Sequence, residues 1–343
     1  MSLTRNAKRI DWIDMAKGYG MIAVIISHLC LGPLKLWLYT FHMPLFFFLS
    51  GYVFSNKDSF VVFLKKKSRS LLLPYFSLGI PMVLFTVLFT VYKNTFSVEE
   101  TIGLIKAFII QKRVWTLWYI ACLFFLNIIF YLITTFVKRK AVVGIIAGLC
   151  AVGGLCYYRA GGLALPWNID ACFTALPFFF GGYALKLNLD RAESILKKKY
   201  AGFILFVVFG GVNVVFGALN ILTTEKGLEM FYNEYANPVF TYISAFAGVF
   251  AVIIFSRFFT LKPIRYIGEN SLVYYAWHQT IMIPVTEELF AMLGFEPTTD
   301  ISQPYYWCYK LVQLAVIMIF LIIPTIIFEK TNLRVLLGKR KKV

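Results

Sequence analysis

Residues 11–34 read DWIDMAKGYGMIAVIISHLCLGPL. From Met15 to Leu34 the stretch is apolar and long enough to cross a bilayer, which takes about 20 helical residues. Asp14, Lys17 and His28 stand at its edge and inside it. A charge inside a spanning helix costs roughly 2.5–3.5 kcal/mol, so these residues carry the information. Lys17 and His28 are eleven positions apart, a net rotation of about 20°, so they share one face about 16 Å apart along the axis. Asp14 lies about 40° from that line. A structural account exists for two of them: Lys17 snorkels to the interface and Asp14 pairs with it at i, i+3. His28 is too deep for that and needs a partner or a cavity.

The rest of the chain has the same solvent. Of its 343 residues 59% are hydrophobic and 15% charged, and mean hydropathy is +0.73. Those values exclude a disordered chain and argue against a soluble domain. Ten apolar segments follow one another: Met15–Leu34, Trp37–Phe54, Leu71–Tyr92, Trp115–Val137, Ala141–Tyr158, Ile169–Leu187, Tyr200–Leu222, Ala236–Phe259, Ser271–Ala291 and Tyr309–Phe328. The sequence therefore predicts an all-α integral membrane protein of about ten transmembrane helices in one bundle. With both termini cytoplasmic, 26 of the 34 Lys and Arg fall on inner segments, as the positive-inside rule requires. The net charge of +17 then reflects loops facing membrane lipid, and nucleic acid is not an expected partner. No connection is long enough for a soluble domain, so residues 1–343 read as one domain with none appended. The segment Val98 to Ile110 is amphipathic and is expected as a helix on the outer membrane surface.

The remaining histidines are His42 and His278. His42 opens the string FHMPLFFFLSGY and lies near the outer end of the second segment; it either caps a helix or joins His28. Ser50 and Gly51 in that string suit close helix packing. His278 is about half way along the ninth segment. Three His could ligate zinc, but no short His-x-x-His or carboxylate pairing supports a metal site. The six cysteines form no Cys-x-x-Cys, so neither a zinc site nor a disulfide framework is expected. The inner loop FLKKKSRSLLLPY carries Lys65, Lys66, Lys67 and Arg69, suited to lipid headgroups or to the phosphates of a donor such as coenzyme A. Trp115, Trp118, Trp167 and Trp277 are belt, packing or sugar-stacking residues.

These strings resemble the acyltransferase 3 family. The opening DWIDMAKG, the spacing from Lys17 to His28, FHMPLFFFLSGY, KKKSRSLLLPY, ALPFFFGGYAL at Ala175 to Leu185 and YIGENSLVYYAWH at Tyr266 to His278 match in type and order. The likeness is nearest to its stand-alone sugar O-acetyltransferase branch, which includes fucose 4-O-acetylase-like and exopolysaccharide-modifying proteins. It implies transfer of an acyl group, usually acetyl, from cytoplasmic acyl-CoA to a hydroxyl of a lipid-linked or polymeric carbohydrate, in a bacterial cytoplasmic membrane. It assigns the family's essential first-helix pair to Lys17 and His28, and its basic inner-loop motif to the 65–69 cluster with Arg69 the best match. That cluster is Lys-rich and lacks a clean Arg-x-x-Arg.

The chemistry implied asks for a general base, for which a neutral His is suited. His28 is the first choice, with His42 as the base or as its positioner, and Asp14, His278 and Ser50 as further candidates. Three rivals share the same spans. A transporter or flippase of a lipid-linked sugar would use Lys17 and His28 as a proton relay. A non-catalytic partner in polysaccharide assembly would not need His28. A related enzyme would transfer succinyl in place of acetyl.

Overall fold

The computed structural model describes residues 10–198, 200–224 and 226–339. The basic residues Arg5, Lys8, Arg9 and 340–342, which bear on the orientation of the termini, lie outside the described residues. Within them every regular element is helical, and the one extended feature is an isolated antiparallel bridge between Glu229 and Glu234. In chain order the helices are α1 (Asp11–Leu29), α2 (Pro33–Tyr39), α3 (His42–Tyr52), α4 (Phe60–Tyr92) and α5 (Val98–Ile110). Then come α6 (Trp118–Phe136), α7 (Lys140–Arg159), α8 (Ile169–Leu187), α9 (Leu189–Leu196) and α10 (Ala201–Thr224). Last are α11 (Pro238–Phe258), α12 (Lys262–Glu269), α13 (271–292) and α14 (Pro304–Lys330), ending in a 3₁₀ turn at Asn332–Leu337.

Among the described residues six helices, α4, α6, α7, α10, α11 and α14, are long and apolar enough to cross a membrane. Their outer faces show why. Leu84, Leu88, Ile145, Leu149, Phe203, Val207, Leu222 and Ile323 are each more than half exposed, a surface that lipid solvates and water does not. The chain is thus a membrane protein. The ten segments expected from hydropathy are all helical, but not all are spans by length and composition. Trp37–Phe54 breaks in two at Thr40-Phe41. Pro44 has no N–H to give the Thr40 carbonyl, and its ring would clash there, so the helix restarts at His42. The restarted α3 has 11 residues, about 16 Å, too short to cross alone.

α1 and α3 form the centre. Ten of the eleven residues of α3 are buried, as a helix apolar on all sides must be. Two glycine contacts set the spacing. A Cβ on Gly51 of α3 would stand 1.8 Å from the Phe179 carbonyl oxygen of α8, and one on Gly182 of α8 would stand 1.8 Å from that of Phe48. α1 and α12 meet the same way, with Gly18 against the Ile264 carbonyl and Gly268 against that of Asp14. Only glycine lets backbones approach so closely. α4 and α13 each contain one π-helical turn, at Ser68–Leu72 and His278–Met282. Such turns displace side chains from the α register and are frequent at functional sites. The first holds Arg69 and the second starts at His278.

Candidate active site

The three histidines converge. α1 brings His28, α3 brings His42, and the π turn of α13 brings His278. The ring centres of His28 and His278 are 5.1 Å apart, and the Tyr39 ring lies 6.0 Å from His28 and 4.9 Å from His42. His28 and His42 line a cavity of about 550 Å³. His278 is fully buried directly behind His28.

Two of the rings are held in one tautomer. His42 Nδ1 is 2.8 Å from the Leu38 carbonyl, and His278 Nδ1 is 3.0 and 2.9 Å from those of Tyr274 and Tyr275. A carbonyl oxygen only accepts, so Nδ1 donates in both, and in the neutral ring Nε2 keeps its lone pair. His278 Nε2 is buried without a partner, as is the Thr280 hydroxyl, which lines the cavity two residues further on. Unsatisfied buried polar atoms are uncommon, and this π turn carries two of them, one facing His28 and one at the cavity wall.

The other walls come from three connections. The α2–α3 corner supplies Lys35 and Tyr39, and Asn213 holds that corner in place. Asn213 Oδ1 accepts from Trp37 Nε1 at 2.8 Å, and its Nδ2 donates to Thr40 Oγ1 at 3.0 Å and to the Ser244 carbonyl at 2.9 Å. Residues 111–117 supply Trp115 and Thr116. This loop puts Gln111, Arg113 and Trp115 in the left-handed region, at φ 48°, 55° and 49°, and is tied down by the buried Arg113–Asp170 pair at 2.5 Å. Non-glycine residues there are strained and persist only where surrounding structure enforces them. Residues 226–237 supply Glu229, Phe231 and Tyr232.

The other expected residues are elsewhere. Lys17 is half-buried about 16 Å away along α1, at the end opposite His28. Asp14 is buried beside Gly268, and both Asp14 and Lys17 have interacting partners. Ser50 shares a hydrogen bond with Tyr119 at 3.2 Å. Lys66 is paired with Asp58 at 2.8 Å, and the Lys67 ammonium lies 5.5 Å over the Phe63 ring. Arg69 donates to the Lys339 carbonyl at 3.2 Å. None of these lines the cavity. Of the four tryptophans, Trp115 and Trp118 do; Trp167 packs on Tyr75, and Trp277 donates to the Leu78 carbonyl. Among the described residues no group of three His, Cys, Asp or Glu side chains could hold a metal ion.

A family model described as an acyltransferase domain, that of acyltransferase 3, matches residues 10–329. The chain belongs to this acyltransferase family. No curated protein and no solved structure matches it. The match takes in all three histidines, and the protein is a membrane acyltransferase. Tyr39, Glu229 and Thr280 line the cavity of this acyltransferase without standing out in its sequence. A tyrosine among 20, a glutamate in a connection and a threonine in an apolar helix carry no signal of their own.

Proposed function

We propose that this acyltransferase moves an acyl group, acetyl in the first instance, from acyl-CoA to a hydroxyl of a carbohydrate, with His28 as general base. The observation that carries the reading is the convergence of three histidines from three helices, His28 and His42 lining one cavity and His278 packed against His28. The acceptor hydroxyl oxygen attacks the thioester carbonyl carbon while its proton passes to His28. The tetrahedral oxyanion is held by the Thr280 hydroxyl, whose oxygen has no other partner. The C–S bond then breaks, the ester is released, and the departing thiolate takes the proton back from His28 as CoA thiol. His278 Nε2 offers its lone pair to the protonated imidazole, and His42, held by Leu38, orients the acceptor.

Lys17 is too far from His28 to share a proton with it. We place it, with Arg69, on the donor side. At that end Arg265 pairs with Asp11 at 3.4 Å and Lys339 donates to Asn270 at 3.2 Å, so several cations are gathered where CoA phosphates would dock. A pantetheine arm joining the two would run about 16 Å along α1, from Lys17 to His28. In this reading both termini are cytoplasmic, that end faces the cytoplasm and the cavity mouth faces outside, in one domain over residues 1–343.

The test is CoA release by purified protein in nanodiscs, with acetyl-CoA or succinyl-CoA and a panel of methyl pyranosides. His28→Ala is expected to lose about 10²–10⁴-fold in kcat, the usual worth of a general base. Wild-type turnover by His28→Ala refutes the assignment. No release from any acyl-CoA by well-folded wild type favours the flippase reading.

A further inference from the structure

One acid in the cavity wall is left over by that mechanism. Glu229 lines the same cavity as His28 and His42, on the connection between α10 and α11. Its backbone is fixed on both sides: Glu229 N donates to the Glu234 carbonyl at 2.8 Å, and Glu234 N donates to that of Glu229 at 3.0 Å. The turn between them closes through Asn233, at φ 61°, whose Oδ1 accepts from Thr174 Oγ1 at 2.6 Å. The flanking Leu228 and Met230 are buried. The carboxylate is therefore presented by a rigid loop.

It also has no cation of its own. Glu234 on the same loop pairs with Lys226 at 2.5 Å, whereas Glu229 makes no ion pair among the described residues. The nearest cationic side chain in the cavity wall, Lys35, sits 5.4 Å over the Tyr39 ring instead. Burial pushes the Glu229 carboxyl up to about 7, against the pull of Lys35. Phe231 supplies a backbone hydrogen bond to it, and a half-buried carboxylate with no ion pair and one such bond keeps acceptor capacity for further donors. The same cavity is lined by Trp115, Trp118, Phe231 and Tyr232. Aromatic faces beside one acceptor-only group make a site for a ligand with an apolar C–H face and adjacent O–H donors. Two neighbouring equatorial hydroxyls of a pyranose meet both oxygens of one carboxylate.

We propose that Glu229 is the acceptor-binding residue, its two carboxylate oxygens accepting from a vicinal diol of a pyranoside and so setting which hydroxyl faces His28. This rests on the carbohydrate reading above. The experiment compares wild type with Glu229→Gln and Glu229→Asp on whichever methyl pyranoside wild type acylates, and on that sugar's monodeoxy analogues. Glu229→Gln is expected to raise the acceptor KM about tenfold or more, the worth of hydrogen bonds to a charged group. Wild type should discriminate at least tenfold against the analogue lacking a diol hydroxyl, and Glu229→Gln should lose most of that discrimination. Loss of fold alone would not remove preference for one hydroxyl, and Glu229→Asp, keeping the charge on a shorter arm, should lie between. An unchanged acceptor KM with unchanged deoxy discrimination in Glu229→Gln or Glu229→Asp overturns the proposal and leaves the carbohydrate reading standing. Acyl transfer by wild type to no pyranoside in the panel overturns both.

Discussion

The Arg113–Asp170 pair is the most exacting test of how the cavity is held. The guanidinium and carboxylate are 15% and 3% exposed, 2.5 Å apart, and Arg113 Nη1 already lacks a second partner. Asp170 Oδ1 also accepts from Leu165 N at 3.3 Å. Asp170→Asn leaves a buried guanidinium uncompensated, which costs about 3–5 kcal/mol. With an unfolding entropy of roughly 2.1 cal/mol/K per residue over 343 residues, that lowers Tm by about 4–7 °C. The pair also restrains the left-handed residues 111, 113 and 115, each held against about 1–2 kcal/mol. Released, the loop relaxes and withdraws Trp115 and Thr116 from the cavity, so CoA release should fall with Tm. Arg113→Met/Asp170→Leu removes both charges and should recover most of the Tm but little of the turnover, since no directional bond replaces the pair. Intrinsic tryptophan fluorescence during heating in detergent reads the first quantity and thiol release the second. A shift below 1 °C in Asp170→Asn, or a double variant whose shift is the sum of the two singles, refutes the reasoning.

Thr280→Val should lower kcat about 10²–10³-fold with little change in acceptor KM, while Thr280→Ser keeps the hydroxyl and most of the rate; steady-state CoA release separates the two. Glu229 gives a pH signature. Its carboxyl is raised from 4.5 to about 7, chiefly by burial, so the folded state binds the proton more tightly than the unfolded chain. Its contribution to stability is therefore greatest below pH 4.5 and declines as pH rises towards 7. Diol binding needs the ionised form and should strengthen over that interval, so acceptor KM should fall between pH 6 and 8 in wild type and stay flat in Glu229→Gln. The groups facing Glu229 are Lys35, Tyr39, His28, His42, Tyr232, Tyr275, Glu234 and Lys226; they are common to both proteins, so the difference belongs to residue 229.

Much of this was legible because membrane helices announce themselves. Runs of apolar residues placed helices in all ten expected segments, and the few polar residues inside them pointed to His28, His42 and His278. What failed was local. The break at Thr40-Phe41 depends on one missing N–H at Pro44, which a hydropathy window averages away. The π turns at Ser68–Leu72 and His278–Met282 leave no compositional trace. That His28 meets His278 is set by α1 packing on α12, which requires Gly18 and Gly268 to coincide across the chain. Glu229 and Thr280 stand out only through where the fold leaves them, both on the cavity wall, the first in no ion pair and the second with an unpartnered hydroxyl.

The distance in sequence between His28 and His278 has a consequence in time. They stand 250 positions apart, and α12, which covers Gly18, begins only at Lys262. At 5–20 residues per second, a ribosome makes α1 roughly 10–50 s before it makes the segment that closes over it. Through that interval Asp14 and Lys17 wait in the membrane without their final surroundings, and no histidine site exists. A chain halted anywhere before α13 lacks His278 and the wall that Tyr275, Gln279 and Thr280 give the cavity, so the last helices to be synthesised complete a pocket that the first ones begin.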